Sequence, residues 1–135
     1  MVVDPIEYRA RREALGLSQT DLARLLGVGQ SAVSQWETGS RTPRDPVGVL
    51  DVLAGLEDVL DELADVVTET GEHSSALRGS PEVVLRTYPD DDAYWAADAG
   101  AARRRIPAAV HRAATALAAR ALAEDAGITA RIVTA

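Results

Sequence analysis

Residues 17–43 read LSQTDLARLLGVGQSAVSQWETGSRTP. Ser18 can cap a helix, with Asp21 three residues on as a carboxylate able to reach back to the cap or favour the helix dipole. A helix over about Gln19–Leu26 then buries Leu22, Ala23 and Leu26. Gly27-Val28-Gly29 breaks it, because Gly27 can take the left-handed C-terminal conformation that a side chain resists. The next helix starts near Gln30 and stops at Gly39. It buries Ala32, Val33 and Trp36 and leaves Gln30, Ser31, Ser34 and Gln35 on the other side. Two short helices joined by a tight turn result.

Upstream, Asp4-Pro5 opens a first helix that Gly16 closes, with Ile6, Ala10 and Leu15 as its apolar positions. Downstream, residues 40–46 are a loop by composition. Val49, Leu53, Leu56, Leu60, Leu63 and Val67 then recur at spacings of 4, 3, 4, 3 and 4, a helical stripe that Val52, Val59 and Val66 widen. A stripe that wide completes a bundle core and packs on a partner helix, where a free coiled coil would need a narrower seam. Residues 71–81 read as a linker. Val83–Tyr88 reads as a strand stopped by Pro89 and Asp90-Asp91-Asp92. Residues 107–126 read as an Ala-rich helix ended by Gly127, and Ile128–Val133 as a second strand. The expected fold is mainly α, a four- or five-helix head over residues 1–70, a linker over 71–81 and a strand-helix-strand appendage over 82–135.

Composition narrows the function. With 135 residues, 47% of them hydrophobic and 26% charged, the chain is an ordinary folded one. No Cys and only two His leave no disulfide framework and make a thiolate or histidine-built metal site improbable, so no metal or cofactor is expected. No apolar run approaches the ~20 residues that span a bilayer, which points to a cytoplasmic protein without a membrane partner. The net charge of −7 argues against nucleic acid on its face. Its distribution softens that objection, since residues 1–50 carry six acids and six Arg and the excess of acid lies in the middle.

The stretch 17–43 resembles the helix-turn-helix of the Cro/phage-repressor (XRE-type) family, and with the flanking helices the resemblance covers about residues 6–67. Leu17, Ser18-Gln19, Leu22-Ala23, Leu26-Gly27, Val28, Val33-Ser34, Trp36-Glu37, Gly39 and Pro43 carry it. The resemblance implies a lambda-repressor-like bundle whose third helix enters the major groove of double-stranded DNA. Amide side chains can bond an adenine edge at two points, the chemistry expected of Gln30 and Gln35, while Ser31 and Ser34 discriminate less. By the same resemblance Gln19 bonds a phosphate and braces Gln30, and Thr38, Arg41 and Arg44 grip the backbone. Glu37, in the family, pairs with a nearby Arg or caps the scaffold, a structural role. The chain departs from the family at Gly29, where a polar residue is common, so a cap or base contact is missing there.

The implied activity is transcriptional regulation, by a repressor or autoregulator that binds its operator as a homodimer, with residues 82–135, with or without the 47–68 stripe, as the candidate dimer interface. The alternative is an interaction module of antitoxin type, in which residues 82–135 bind a protein partner and DNA binding serves autoregulation. An enzyme is not expected, since the chain has no nucleophile-base constellation and no phosphate-binding glycine loop. Arg103-Arg104-Arg105 reads as a solvated turn before a phosphate contact, and Asp90-Asp91-Asp92 as a cap before a cation site. His111 reads as a packed or exposed histidine, and Tyr94-Trp95 serves equally well as an interface anchor or as the core of the appendage.

Overall fold

A computed structural model describes residues 2–135. The chain is mainly α with one small two-stranded sheet, and it divides into two units, residues 1–58 and 59–135.

The first unit holds α1 (Pro5–Ala14), α2 (Gln19–Leu26), α3 (Gln30–Thr38) and the start of α4 (Pro46–Arg78). Asp4 caps α1 by accepting from the Ile6 amide, and Pro5 sits where its missing N–H costs nothing. Ser18 and Asp21 form the reciprocal capping box expected of them. Gly27 ends α2 at φ 69° and Gly39 ends α3 at φ 81°, the left-handed conformation that favours glycine. Tyr8, Leu15, Leu17, Leu22, Val33, Trp36, Val49 and Leu53 form the core. The apolar face of α1 differs from expectation. Ile6 is 58% exposed and Ala10 is exposed as well, whereas Tyr8, Arg12 and Leu15 turn inward. Positions 8, 12 and 15 lie on one helical face, and the buried Arg12 is acceptable there because its charge is paired.

The second unit adds β1 (Glu82–Thr87), α5 (Asp91–Ala97), α6 (Ala99–Arg104), α7 (Ala108–Ala126) and β2 (Thr129–Thr134) to the rest of α4. β1 and β2 pair in parallel, Glu82 opposite Thr129 and Thr87 opposite Thr134, which requires the crossover that α7 supplies. Val83 and Leu85 pack on Ala118, Leu122 and Ile128, with Val67 of α4 against them. The strand-helix-strand reading holds, with two short helices inserted before α7.

Residues 71–81 depart from the linker reading, since α4 stays helical through Arg78 and only 79–81 turn. Gly71 explains it. A Cβ at that position would lie 2.7 Å from Leu122 Cδ1, so the missing side chain lets α4 approach α7 closely; the glycine is a packing residue where it resembled a breaker. The acidic run is also resolved. Asp90 caps α5 and Asp91 accepts from the amide of Ala108. Arg104 forms a paired contact with Glu62 at 3.0 and 3.2 Å, and Arg105 ends α6 in the left-handed region. Tyr94, 1% exposed, is core, and half-buried Trp95 donates to the Ile106 carbonyl.

Candidate nucleic-acid interface

The candidate surface is built on α3, and what holds it begins on α1. Arg12 meets Glu37 through two parallel hydrogen bonds, Nε to Oε2 at 2.7 Å and Nη2 to Oε1 at 2.9 Å, and its third nitrogen donates to the Leu17 carbonyl. The Glu37 side chain is 3% exposed, so both partners are withdrawn from water and the fork geometry leaves little of either unsatisfied. Burial on its own would raise the Glu37 carboxyl, but the hydrogen bonds from Arg12 and Gln19 outweigh it and hold the group below its ordinary value. The Arg12 guanidinium is correspondingly raised, by its hydrogen bond to Glu37 against the opposing effect of burial.

A carboxylate only accepts, and this sets the polarity of two amides in succession. Gln19 turns its Nε2 to Glu37 Oε1 at 3.0 Å, which leaves Gln19 Oε1 to accept from Gln30 Nε2 at 2.7 Å. Gln30 therefore keeps one amide hydrogen and its Oε1 unused, at the exposed first position of α3. One unspent donor beside one unspent acceptor is the pattern a purine edge can match. The bracing of Gln30 by Gln19 is present as the resemblance implied, and the arginine paired with Glu37 is Arg12. Taking Ile6, Ala10 and Leu15 as the apolar positions of the first helix left that arginine unidentified in the sequence. Its place on one helical face with Tyr8 and Leu15 was the available signal.

The remaining candidate residues fall into two places. Ser31 is exposed beside Gln30, and Ser34 is half-buried. Gln35, Arg41 and Arg44 line one cavity of about 600 Å³ together with Val28, Ala32 and Trp36. The Gln35 carbonyl gathers the turn after α3, accepting from the Arg41 amide at 3.2 Å and from the hydroxyls of Thr38 and Ser40. Thr38 is thereby held against the backbone of its own helix end, while Arg41 and Arg44 stay exposed. Gly29 precedes α3 with no side-chain cap, as the departure from the family pattern implied.

On the pairing side of this surface, Arg11 holds Glu57 and Glu7, its hydrogen bond to Glu57 being the main influence that raises its basicity. That contact ties α1 to the start of α4 and spends one basic group internally. Among the described residues no helix is long and apolar enough to cross a membrane, and no group of three or more His, Cys, Asp or Glu could hold a metal ion.

No curated protein matches the chain. Residues 9–47 match a family model described as helix-turn-helix. The match takes in Arg12, both helices around the Gly27 turn, Glu37 and the loop with Arg41 and Arg44. With its cap, turn and buried ion pair in place, residues 9–47 form a helix-turn-helix similar to that of the Cro/phage-repressor (XRE-type) family of DNA-binding regulators.

Proposed function

We propose that the chain is a sequence-specific transcriptional regulator, a repressor or autoregulator, that reads a double-stranded DNA operator in the major groove as a homodimer. The observation that carries the reading is the chain of bonds from Arg12 through Glu37 and Gln19 to Gln30. It orients an amide at the exposed start of α3 before any ligand arrives, so little side-chain freedom is left to lose on binding.

In this reading Gln30 and Gln35 meet base edges, with adenine the natural match for an amide. Ser31 and Ser34 add contacts of lower discrimination. Gln19 meets a phosphate at the N-terminus of α2, and Thr38, Arg41 and Arg44 hold the backbone beyond α3. The head region is nearly balanced in charge, with six acids and six Arg over residues 1–50, so attraction to random DNA is weak. Specificity then rests on two heads sharing one symmetric site, with half-sites about 34–36 Å apart.

The test is selection of bound sequences from random duplex DNA, followed by titration of the selected site. Gln30→Ala and Gln35→Ala each weaken that site by about 1–3 kcal/mol and relax the base preference at one position. Arg41→Ala weakens selected and random DNA alike and lowers the salt slope by about one unit. Unchanged binding by both glutamine variants would sink the recognition-helix assignment.

A further inference from the structure

The sheet of the second unit has two strands, so among the described residues β1 has β2 on one side and no strand on the other. A two-stranded sheet is a small one, and an uncovered edge is a template for another strand. Along β1 exposure alternates strictly, with Val83, Leu85 and Thr87 buried and Glu82, Val84 and Arg86 outward. Val84 is 48% exposed, and neither Glu82 nor Arg86 has an ion-pair partner among the described residues.

These three outward residues are self-complementary. Two copies of β1 related by a two-fold axis run antiparallel, and an axis at Val84 sets each residue i opposite residue 168 − i of the second copy. Glu82 then faces Arg86 of the second copy, Arg86 faces its Glu82, and the two Val84 side chains meet between the ion pairs. Directly opposed side chains on one face of an antiparallel pair lie close enough to interact. On the other face Val83 comes opposite Leu85 of the second copy, which joins two apolar cores. β2 offers no such match. Its sequence is Thr-Ala-Arg-Ile-Val-Thr, without an acid, and an axis at Arg131 would oppose two like charges.

We propose that the chain dimerises by antiparallel pairing of β1 with β1 of a second copy, making a four-stranded sheet in the order β2-β1-β1-β2. This rests on the homodimer reading above and assigns it a surface. The contact is isologous, so it closes at two copies.

Charge reversal tests it through the mass of the full chain in solution, without DNA. Glu82→Arg and Arg86→Glu each turn two symmetry-related attractions into repulsions and weaken self-association by about tenfold. The double variant restores the dimer, because the pairs are merely exchanged. An equimolar mixture of the two single variants also restores it, as heterodimers in which every pair is opposite in sign. A parent dimer that neither single reversal weakens overturns the β1 surface and leaves the homodimer standing. Single variants that weaken without rescue by the double variant or the mixture overturn it too. A parent chain that stays monomeric at all concentrations removes the homodimer itself, leaving the edge to a strand of another protein.

Discussion

In the head, α1 and α3 are fastened by the Arg12–Glu37 pair, two charges withdrawn from water and joined at 2.7 and 2.9 Å. In the second unit the charged pair between elements, Arg104 with Glu62, is exposed, and the buried fastening is almost without charge. Gly71 and Ala118 lie where helices and strands meet, beside Leu122 and Leu85, and neither has a side chain large enough to keep neighbours apart. The two solutions have different consequences. A bidentate ion pair is directional, and its acceptor-only carboxylate passes an orientation on to Gln19 and Gln30. Close packing of small residues holds elements near each other and passes on no polarity. The polar groups buried in the second unit serve it locally, His111 meeting Thr87 at 2.7 Å and lying against the rings of Tyr88 and Tyr94.

The contrast breaks first at Arg12. Arg12→Ala leaves the Glu37 carboxylate buried without its partner, at a cost of about 3 kcal/mol, and frees Gln19 to turn. The head should unfold at lower denaturant while the second unit is unaffected. Trp36 lies in one unit and Trp95 in the other, so Trp→Phe backgrounds report each separately by fluorescence. A shift of equal size at both tryptophans would show that the units do not unfold independently.

Gly71→Ala probes the other material. Alanine favours a helix over glycine by up to about 1 kcal/mol, but its Cβ would press on the fully buried Leu122, and overpacking costs about 1–3 kcal/mol. A net loss confined to the Trp95 signal is expected; a gain would mean that Leu122 moves aside freely.

Acid should separate the units as well. Burial lowers His111 below its ordinary 6.5, so the unfolded chain takes up that proton first. The second unit therefore keeps its full stability above about pH 6.5 and loses it as pH falls through the lowered value, at no more than about 1.4 kcal/mol per pH unit. Glu37 lies below its ordinary 4.5, so its contribution to the head is intact above that pH and lost only as pH falls through its own lowered value. Denaturation followed at Trp95 should weaken in mildly acidic buffer where that at Trp36 does not, and His111→Gln should abolish the difference. The Tyr94 hydroxyl, pushed up to about 12 by burial and then by Asp98, stays protonated throughout.

The smallest change sharpens the head. Gly29 has the extended backbone of an N-cap at φ −80° and room for a Cβ, 3.9 Å from Ser31 Oγ. Gly29→Ser should add the absent cap and stabilise the head by about 0.5 kcal/mol, read as a rise in the Trp36 midpoint.

Most of the head was legible because its signals are local. The Ser18–Asp21 capping box, the Gly27 and Gly39 stops and the helical spacings of Leu22 with Leu26 and of Val33 with Trp36 each act within a few residues, so one chain suffices to read them. The second unit was legible in outline only. α5 and α6 are seven and six residues long, too short for periodicity to declare, and their caps, Asp90 and Asp98, sit among other acids.

By itself the sequence determined the helix-turn-helix, the amide-bearing face of α3 and the strand-helix-strand order. Tertiary structure alone decided that Arg12 is the residue under Glu37, that Gly71 is a contact and not a break, and that among the described residues no strand lies along the outer edge of β1. All three depend on what another element places beside the residue, across 25 positions for Arg12 and Glu37. Local propensity carries no record of a neighbour that arrives only when the chain has folded.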